Sequence, residues 1–397
     1  MKIPMSSPDL SNSEISAVNQ VLATPILSIG PQGEAFERRC ATYVGTAHAA
    51  AVSSGTSGLH LCVIAAGVAD GDLAITTPFS FVASANCLLY ERAVPIFVDV
   101  DPRTGNIDPA LVAEAAYDLR RDGERARRWL PPALRDHSRL IKLKAILPVH
   151  ALGQPADMAP ILATARQHQL AVIEDACEAI GAEYRGRKAG TLGDAAVFAF
   201  YPNKQMTTGE GGLIVTNRGE WDMLFRSLRN QGRDVFDAWL NHSRLGYNYR
   251  LDEMSAALGV AQLQRLDELL AKRERVAGWY NERLAALELI EIPQMVSTTT
   301  RMSWFVYVVR LQPPALRDEV MKGLAEHGIP SRPYFIPIHL QPFYAQKFGC
   351  RRGDFPVAET LGDISLALPF SGVMTEDQVD YVCQHLIKVC ESIGQRP

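Results

Sequence analysis

Ala195-Ala-Val-Phe-Ala-Phe-Tyr-Pro-Asn-Lys204-Gln-Met-Thr-Thr-Gly-Glu-Gly-Gly212 is an apolar run that ends in a turn, carries a lone lysine and closes on a Thr/Gly-rich loop. A second apolar run, Leu213-Ile-Val-Thr216, follows at once. Short runs that are apolar throughout read as strands covered on both faces. A lysine held at the rim of such strands is partly desolvated, which lowers an ammonium pKa and leaves a usable amine. A Schiff-base lysine needs that state. An ordinary surface lysine fits the same local sequence, so the surroundings must discriminate.

Working outward, strand-like runs fall at Ala49–Val52, Leu73–Thr76, Val94–Val98, Lys144–Val149, Ala171–Glu174, Ala196–Phe200 and Leu213–Val215. Between them lie helical patterns at Glu34–Tyr43, Gly58–Ala66, Ser80–Leu89 and Met158–His168. Strands alternating with helices predict an α/β domain built on a mostly parallel sheet. After Leu251 the texture changes. Asp252–Leu284 reads as one long charged helix with a leucine-rich face. A smaller α+β region follows, with a strand at Trp304–Leu311 and helices at Ala315–His327 and Glu376–Ile393. This divides the chain into an N-terminal arm (1–13), a large domain (14–255) and a small C-terminal domain (256–397). Between Val112 and Lys142, the basic run Arg120-Arg-Asp-Gly-Glu-Arg-Ala-Arg-Arg-Trp-Leu-Pro-Pro132 interrupts the rhythm and reads as a solvated surface excursion, with a substrate-phosphate or partner contact as the alternative.

A chain of 397 residues exceeds one simple core, and 47% hydrophobic with 21% charged residues is a globular balance. Net charge −4 argues against a nucleic-acid partner, which favours a basic face. The seven cysteines include no Cys-x-x-Cys pair, so buried free thiols are expected rather than disulfides or a metal site. No apolar stretch approaches the roughly 20 residues that span a bilayer, and no signal-peptide core opens the chain. A cytoplasmic protein without a membrane partner is the expectation.

Four further segments bear on Lys204. Ser53-Ser-Gly-Thr-Ser-Gly58 follows a strand and opens a helix, where backbone N–H groups and hydroxyls make an anion cradle. A plain helix cap fits it equally. Val172-Ile-Glu-Asp175 puts a carboxylate at the carboxyl end of a strand, the edge at which parallel sheets bind ligands. A strand-end cap is the alternative. Thr77-Pro-Phe-Ser-Phe81 offers an aromatic wall or a piece of core. Gly246-Tyr-Asn-Tyr-Arg250 presents Asn248 as a donor, or as a helix-entry turn. Cradle, wall, strand-end Asp and loop lysine together meet the needs of pyridoxal phosphate: an anchored phosphate, a protonated ring nitrogen and an amine.

The chain is similar over nearly its whole length to the DegT/DnrJ/StrS family of pyridoxal-phosphate-dependent sugar aminotransferases. Ser54-Gly-Thr-Ser57, Phe97-Val-Asp-Val-Asp-Pro102, Ile146-Leu-Pro-Val-His150, Thr207-Thr-Gly-Glu-Gly-Gly212 and Leu228-Arg-Asn-Gln-Gly-Arg233 carry the resemblance. It implies the type I aminotransferase fold and a homodimer with shared active sites. By position, Lys204 resembles the Schiff-base lysine and Asp175 the partner of the pyridine nitrogen. Phe81 resembles the stacking aromatic, and Gly55 and Thr56 fall in the phosphate loop. Asn248 resembles the asparagine that reaches the phosphate from the second subunit. Tyr334 and His339 resemble a substrate-facing segment.

Two positions depart from the family pattern. Glu178 stands where relatives often carry Gln or His against the cofactor's phenolic oxygen. An ionised carboxylate there would be repulsive, so Glu178 is expected to be protonated or turned away. Ala199 stands where relatives often have serine. The implied reaction is transfer of an amino group, from L-glutamate, to a nucleotide-linked 4-keto-6-deoxy sugar. A 3-keto-sugar or keto-cyclitol acceptor is the alternative. The family's dehydratases resemble proteins with histidine in place of the lysine, and Lys204 argues against them. A lyase or desulfurase would want a mobile cysteine. A regulatory protein that kept the fold would have no need of the lysine, Asp and cradle together.

Overall fold

The computed structural model describes residues 3–121, 123–135, 142–234, 241–312 and 317–394. Its strands in chain order are β1 (His48–Val52), β2 (Leu73–Thr76), β3 (Val94–Phe97), β4 (Leu143–Ile146), β5 (Ala171–Asp175), β6 (Glu183–Tyr184), β7 (Arg187–Lys188), β8 (Ala195–Ala199) and β9 (Gly212–Thr216). The C-terminal region adds β10 (Ile290–Glu291), β11 (Thr299–Arg301), β12 (Tyr307–Leu311), β13 (Arg332–Pro333) and β14 (Ser365–Leu368).

Seven strands form the large sheet, in the order β1-β9-β8-β5-β4-β2-β3. Six run parallel, and β9 alone is antiparallel to its neighbours β1 and β8. The strands are apolar throughout because both faces are covered. In β8, Ala195 and Val197 join the core that holds Leu59, Leu88 and Phe225. Ala196 and Phe198 face the opposite core, with Phe36 and Leu266. This alternation into two cores makes a period-two signal invisible in the sequence.

Caps set the helix ends. Ser11 and Glu14 form a reciprocal capping box on helix Asn12–Leu22. Helix Pro31–Val44 begins on a proline and ends at Gly45, whose φ of 92° suits glycine. Its free N-terminal amides find a distant partner: the Glu253 carboxylate accepts from Gly30 N, Gln32 N and Gly33 N at 3.1, 2.8 and 2.8 Å.

The long charged helix is in fact two, Glu253–Gln264 and Leu266–Leu284, broken at Arg265 (φ −104°). The break lets them serve different surfaces. The first packs on helices Asn12–Leu22 and Pro31–Val44. The second puts Leu266, Leu269 and Leu270 into the large-sheet core and Val276, Ala277, Tyr280 and Leu284 into a second core. That second core lies against the antiparallel sheet β10-β12-β14-β13. Ile3 is buried in it, and Met5 O accepts from Phe370 N at 2.9 Å, so the N-terminal arm reaches the C-terminal region. The expected helix at Ala315–His327 is described as Arg317–Glu326; residues 315–316 lie outside the described residues.

The 112–142 stretch corrects its reading as a mere surface excursion. Residue 122 and residues 136–141 lie outside the described residues. In the rest, Val112, Leu119, Ala126 and Leu130 are buried in a core with β2, β3 and β4. The arginines stay exposed around it. Asp118, buried, accepts from Trp129 Nε1 at 2.9 Å and Arg128 Nη2 at 2.8 Å, which ties the short helix Glu124–Arg127 back to Pro109–Arg121. All seven cysteines are free, six of them buried and Cys177 half-buried.

Candidate active site

The six parallel strands end at one edge of the large sheet, and β9 begins there. The segments leaving that edge enclose a cavity of about 330 Å³. Ser54, Gly55 and Thr56 line it after β1, Ser80, Phe81 and Ser84 after β2, and Asp175, Cys177 and Glu178 at the end of β5. Tyr201, Asn203 and Lys204 come from the loop after β8. Phe305, Tyr334 and Phe335 arrive from the C-terminal region.

Helix Gly55–Ala65 points its N-terminus into the cavity. Ser54 caps it, accepting from Ser57 N at 3.1 Å. The first amides of a helix have no intrahelical acceptor and form an anion site. A Cβ on Gly55 would come within 2.8 Å of both Ala199 Cβ and Cys177 Sγ. The helix start is therefore flush with the end of β8, and only glycine fits there.

Asp175 is 5% exposed. Its Oδ2 accepts from Ser84 Oγ at 2.7 Å, and its Oδ1 from Cys177 N at 3.2 Å. Ser80 Oγ lies 2.8 Å from Ser84 Oγ and continues the chain. The neighbouring Glu174 faces the other way, fully buried. It accepts from the amides of Gly190, Leu192 and Gly193 at 2.7–2.9 Å and lies 3.0 Å from His150 Nε2. Burial opposes ionisation of Glu174, but these partners outweigh it and hold its pKa below the usual carboxylate range.

Lys204 sits in the β8–β9 connection, whose shape the local sequence explains. Thr207 Oγ1 donates to Phe200 O and accepts from Gly209 N, both at 2.9 Å. Gly209 takes φ 82°, and Phe200 N and Gly211 O close the loop at 3.0 Å. The Lys204 amine lies 3.7 Å from Glu178 Oε1 and 3.8 Å from the centroid of the Phe305 ring. Glu178 Oε2 accepts from Leu152 N at 2.8 Å. Burial raises the Glu178 pKa against the opposing pull of Lys204. The carboxyl is thus not turned away. It faces the amine and holds a proton more readily than a free carboxyl.

Of the residues singled out in the sequence, Gly55, Thr56, Phe81, Asp175, Glu178, Lys204 and Tyr334 meet in this cavity. His339 does not. It is fully buried and pairs with Glu359 at 2.9 Å, and Glu359 in turn accepts from Gly353 N and Phe355 N. His339 braces the chain there and is not among the residues that line this cavity. Asn248 is exposed, outside the cavity, bridged to Asn230. Ser84, Asn203, Tyr201 and Phe305 also line the cavity, outside the residues that the sequence singles out. Ser84 follows Ser80 by one helical turn, a readable spacing. Phe305 is remote in sequence and carries no local mark.

No cluster of His, Cys, Asp and Glu among the described residues is arranged to hold a metal ion. An organic cofactor with an anionic group fits better. The cradle, the buried carboxylate and the amine occupy separate walls, and the buried Oδ1 of Asn203 in the lining has no hydrogen-bond partner among the described residues. On a sheet of this order, such a pocket places the protein among the type I pyridoxal-phosphate-dependent aminotransferases. The chain belongs to the DegT/DnrJ/EryC1/StrS aminotransferase family, whose profile matches residues 8–387. GDP-perosamine synthase of Caulobacter vibrioides is 41% identical over 391 residues, covering 98% of each chain. The crystal structure of S. venezuelae DesV superimposes with a TM-score of 0.86 at 31% identity, over 98% of this chain and 99% of that one. Helicobacter pylori PseC, an aminotransferase involved in pseudoaminic acid biosynthesis, gives 0.85 at 26% identity, over 99% and 100%. The protein is a sugar aminotransferase that uses pyridoxal phosphate.

Proposed function

We propose that the enzyme moves the amino group of L-glutamate to a nucleotide-linked 4-keto-6-deoxy sugar, giving 2-oxoglutarate and the amino sugar in two half-reactions. The observation that carries the active-site reading is the meeting of Lys204, Asp175 and the Gly55 helix start in one cavity. The GDP-perosamine name of the Caulobacter relative supports a GDP-linked acceptor. The Thr207–Gly212 loop sequence supports a 4-keto over a 3-keto position.

Pyridoxal phosphate, when bound, supplies an electron sink for the carbon bearing the amine and carries that amine between substrates. The protein's residues have separate tasks. The Gly55 and Thr56 amides at the helix N-terminus would hold the phosphate. Asp175, oriented by Ser84, would keep the cofactor's ring nitrogen protonated. Lys204 Nζ is the amine that would link to the cofactor and the group that would hold and move the proton of the amine-bearing carbon. Phe81, Phe305 and Tyr334 give the cavity aromatic walls. The Glu178 carboxyl faces Lys204, and burial makes it hold a proton more readily than a free carboxyl does.

We further propose that a second copy of the chain completes the site. Phe81 and Tyr201 line the cavity yet remain 63% and 52% exposed, and Ile26, Leu27, Ile29 and Leu245 are exposed apolar side chains. Asn248, outside its own cavity, is then free to serve the partner's.

The test pairs purified holoenzyme with L-glutamate and a GDP-linked 4-keto-6-deoxyhexose, with dTDP-linked and 3-keto sugars beside it. Amination of the GDP-linked 4-keto sugar, followed by mass spectrometry and lost in Lys204→Ala, is the expected result. Undiminished turnover by Lys204→Ala would sink the site assignment. Preference for a 3-keto sugar would sink the acceptor.

A further inference from the structure

Arg273 belongs to no sequence motif. It projects from helix Leu266–Leu284 and is 3% exposed. Among the described residues no carboxylate pairs with it, and burial pushes its pKa down to about 10. A buried cation without a counter-ion is costly and persists only where other groups offset the cost. Here the guanidinium donates to four backbone carbonyls. Nη2 reaches Lys204 O at 2.7 Å and Asn203 O at 3.1 Å. Nη1 reaches Phe305 O at 3.1 Å and Trp304 O at 3.3 Å.

The two carbonyl pairs come from different parts of the fold. One is the loop after β8 that carries Lys204, and the other is the segment that leads into β12. The side chains of these same residues meet on the far side, where the Lys204 amine lies 3.8 Å from the Phe305 ring centroid. The guanidinium fork is planar, and the spacing of its donors does not vary. It therefore sets the separation of the two backbones, and with it the pose of the amine against the aromatic wall. Gln205 ties the same loop at a neighbouring point, its Nε2 donating to Glu178 O and to Ser303 Oγ at 2.6 and 2.8 Å. Those bonds tie the loop to Glu178 and to Ser303, just before Trp304, whereas Arg273 reaches the carbonyls of Lys204 and Phe305 themselves.

We propose that Arg273 is a positioning residue that clamps the Lys204 loop to the Trp304–Phe305 segment, so that the Lys204 amine is presented to the cofactor in one orientation. The proposal rests on the reading of Lys204 as the lysine that links to pyridoxal phosphate. Without the clamp, the helix start and Asp175 still retain the cofactor, but the amine samples several poses. The covalently linked fraction then falls, and kcat falls more than the KM for glutamate.

Borohydride adds hydride to a C=N bond and makes the lysine linkage permanent, so peptide mass spectrometry reads the linked fraction directly. Wild-type holoenzyme, Arg273→Met and Arg273→Lys are compared for total cofactor retained, fraction captured on Lys204, kcat, KM and Tm. Near-complete capture is expected in the wild type. Arg273→Met should retain cofactor with a captured fraction at least about threefold lower and kcat down about tenfold or more, since small misplacements of reacting groups are costly. Arg273→Lys keeps the charge but cannot span both carbonyl pairs, and it should fall between the two. It is also the variant to read if Arg273→Met fails to fold. A lowered Tm with captured fraction and kcat at wild-type values in a folded variant would show a purely structural role and overturn the proposal. Absence of capture at Lys204 in the wild type would instead overturn the assignment of Lys204, leaving the two failures distinguishable.

Discussion

Lys204 Nζ lies 3.7 Å from Glu178 Oε1, and the two side chains keep only 13% and 9% of their surface exposed. At that distance they form an ion pair rather than a tight hydrogen bond, inside a pocket where burial already disfavours the Glu178 carboxylate. The second carboxyl oxygen is pinned by Leu152 N, so the group cannot swing away.

Glu178→Gln should stabilise the protein at neutral pH. The folded carboxyl has a pKa above its ordinary value of 4.5, with burial the largest cause. Below 4.5 the group is protonated in folded and unfolded chains alike and costs nothing. As pH rises through the folded pKa, the ionised form is worse accommodated in the fold, so stability is lost. The neutral amide escapes that loss. Thermal unfolding should show Tm higher by on the order of 1–3 °C at pH 7–8 and unchanged near pH 4. An equal shift at both pH values would exclude titration as the cause.

Ser84→Ala removes the 2.7 Å bond to Asp175 Oδ2, leaving the amide and thiol of Cys177 as partners of the carboxylate among the described residues. A hydrogen bond to a charged group contributes about 1.5–3 kcal/mol. Cofactor affinity, measured by absorbance titration, should weaken about tenfold or more while the far-ultraviolet spectrum stays unchanged. Wild-type affinity would mean that Asp175 holds its pose without the serine.

Gly55→Ala places a Cβ 2.8 Å from Ala199 Cβ and Cys177 Sγ. The sulfur can rotate; the Ala199 Cβ can move only with its strand. Overpacking of this kind costs about 1–3 kcal/mol, so both Tm and cofactor affinity should drop. Adding Ala199→Gly should recover part of the loss, a non-additive pair of the sort expected for residues in contact. Strict additivity would refute the clash.

Acid should detach the N-terminal helix from the body through Glu14. Burial pushes its pKa up, but bonds from Ser11 and Gln262 outweigh that and bring it from 4.5 down to about 2. Its contribution is therefore complete above pH 4.5 and lost as pH falls toward about 2. Glu14→Gln should lower Tm at pH 6 and converge with the wild type near pH 2. Parallel curves across that range would assign the contribution elsewhere.

Much of this was legible in local sequence. The seven core strands stand out as short apolar runs because each is covered on both faces, and their observed ends lie within a few residues of the pattern. Lys204, Asp175 and the Ser54–Thr56 turn are marked by position, each leaving a strand at the sheet's carboxyl edge. The break at Arg265 was hidden because its flanks keep the same leucine periodicity. His339 was misleading because a polar residue near Tyr334 looks the same whether it faces a cavity or Glu359. Phe305 and Arg273 had no mark at all, since their importance lies in what they meet across the fold.

The sequence by itself determined the strand-and-helix alternation, the order of the chemical groups along the chain and the family, because these depend on side-chain pattern within short windows. Only the tertiary structure decided that Glu178 faces Lys204, that Ser84 holds Asp175, that His339 is a brace and that one buried guanidinium joins the lysine loop to the C-terminal wall. Those facts depend on which distant segments share a low-dielectric pocket, where a few ångströms separate a costly charge from a useful one.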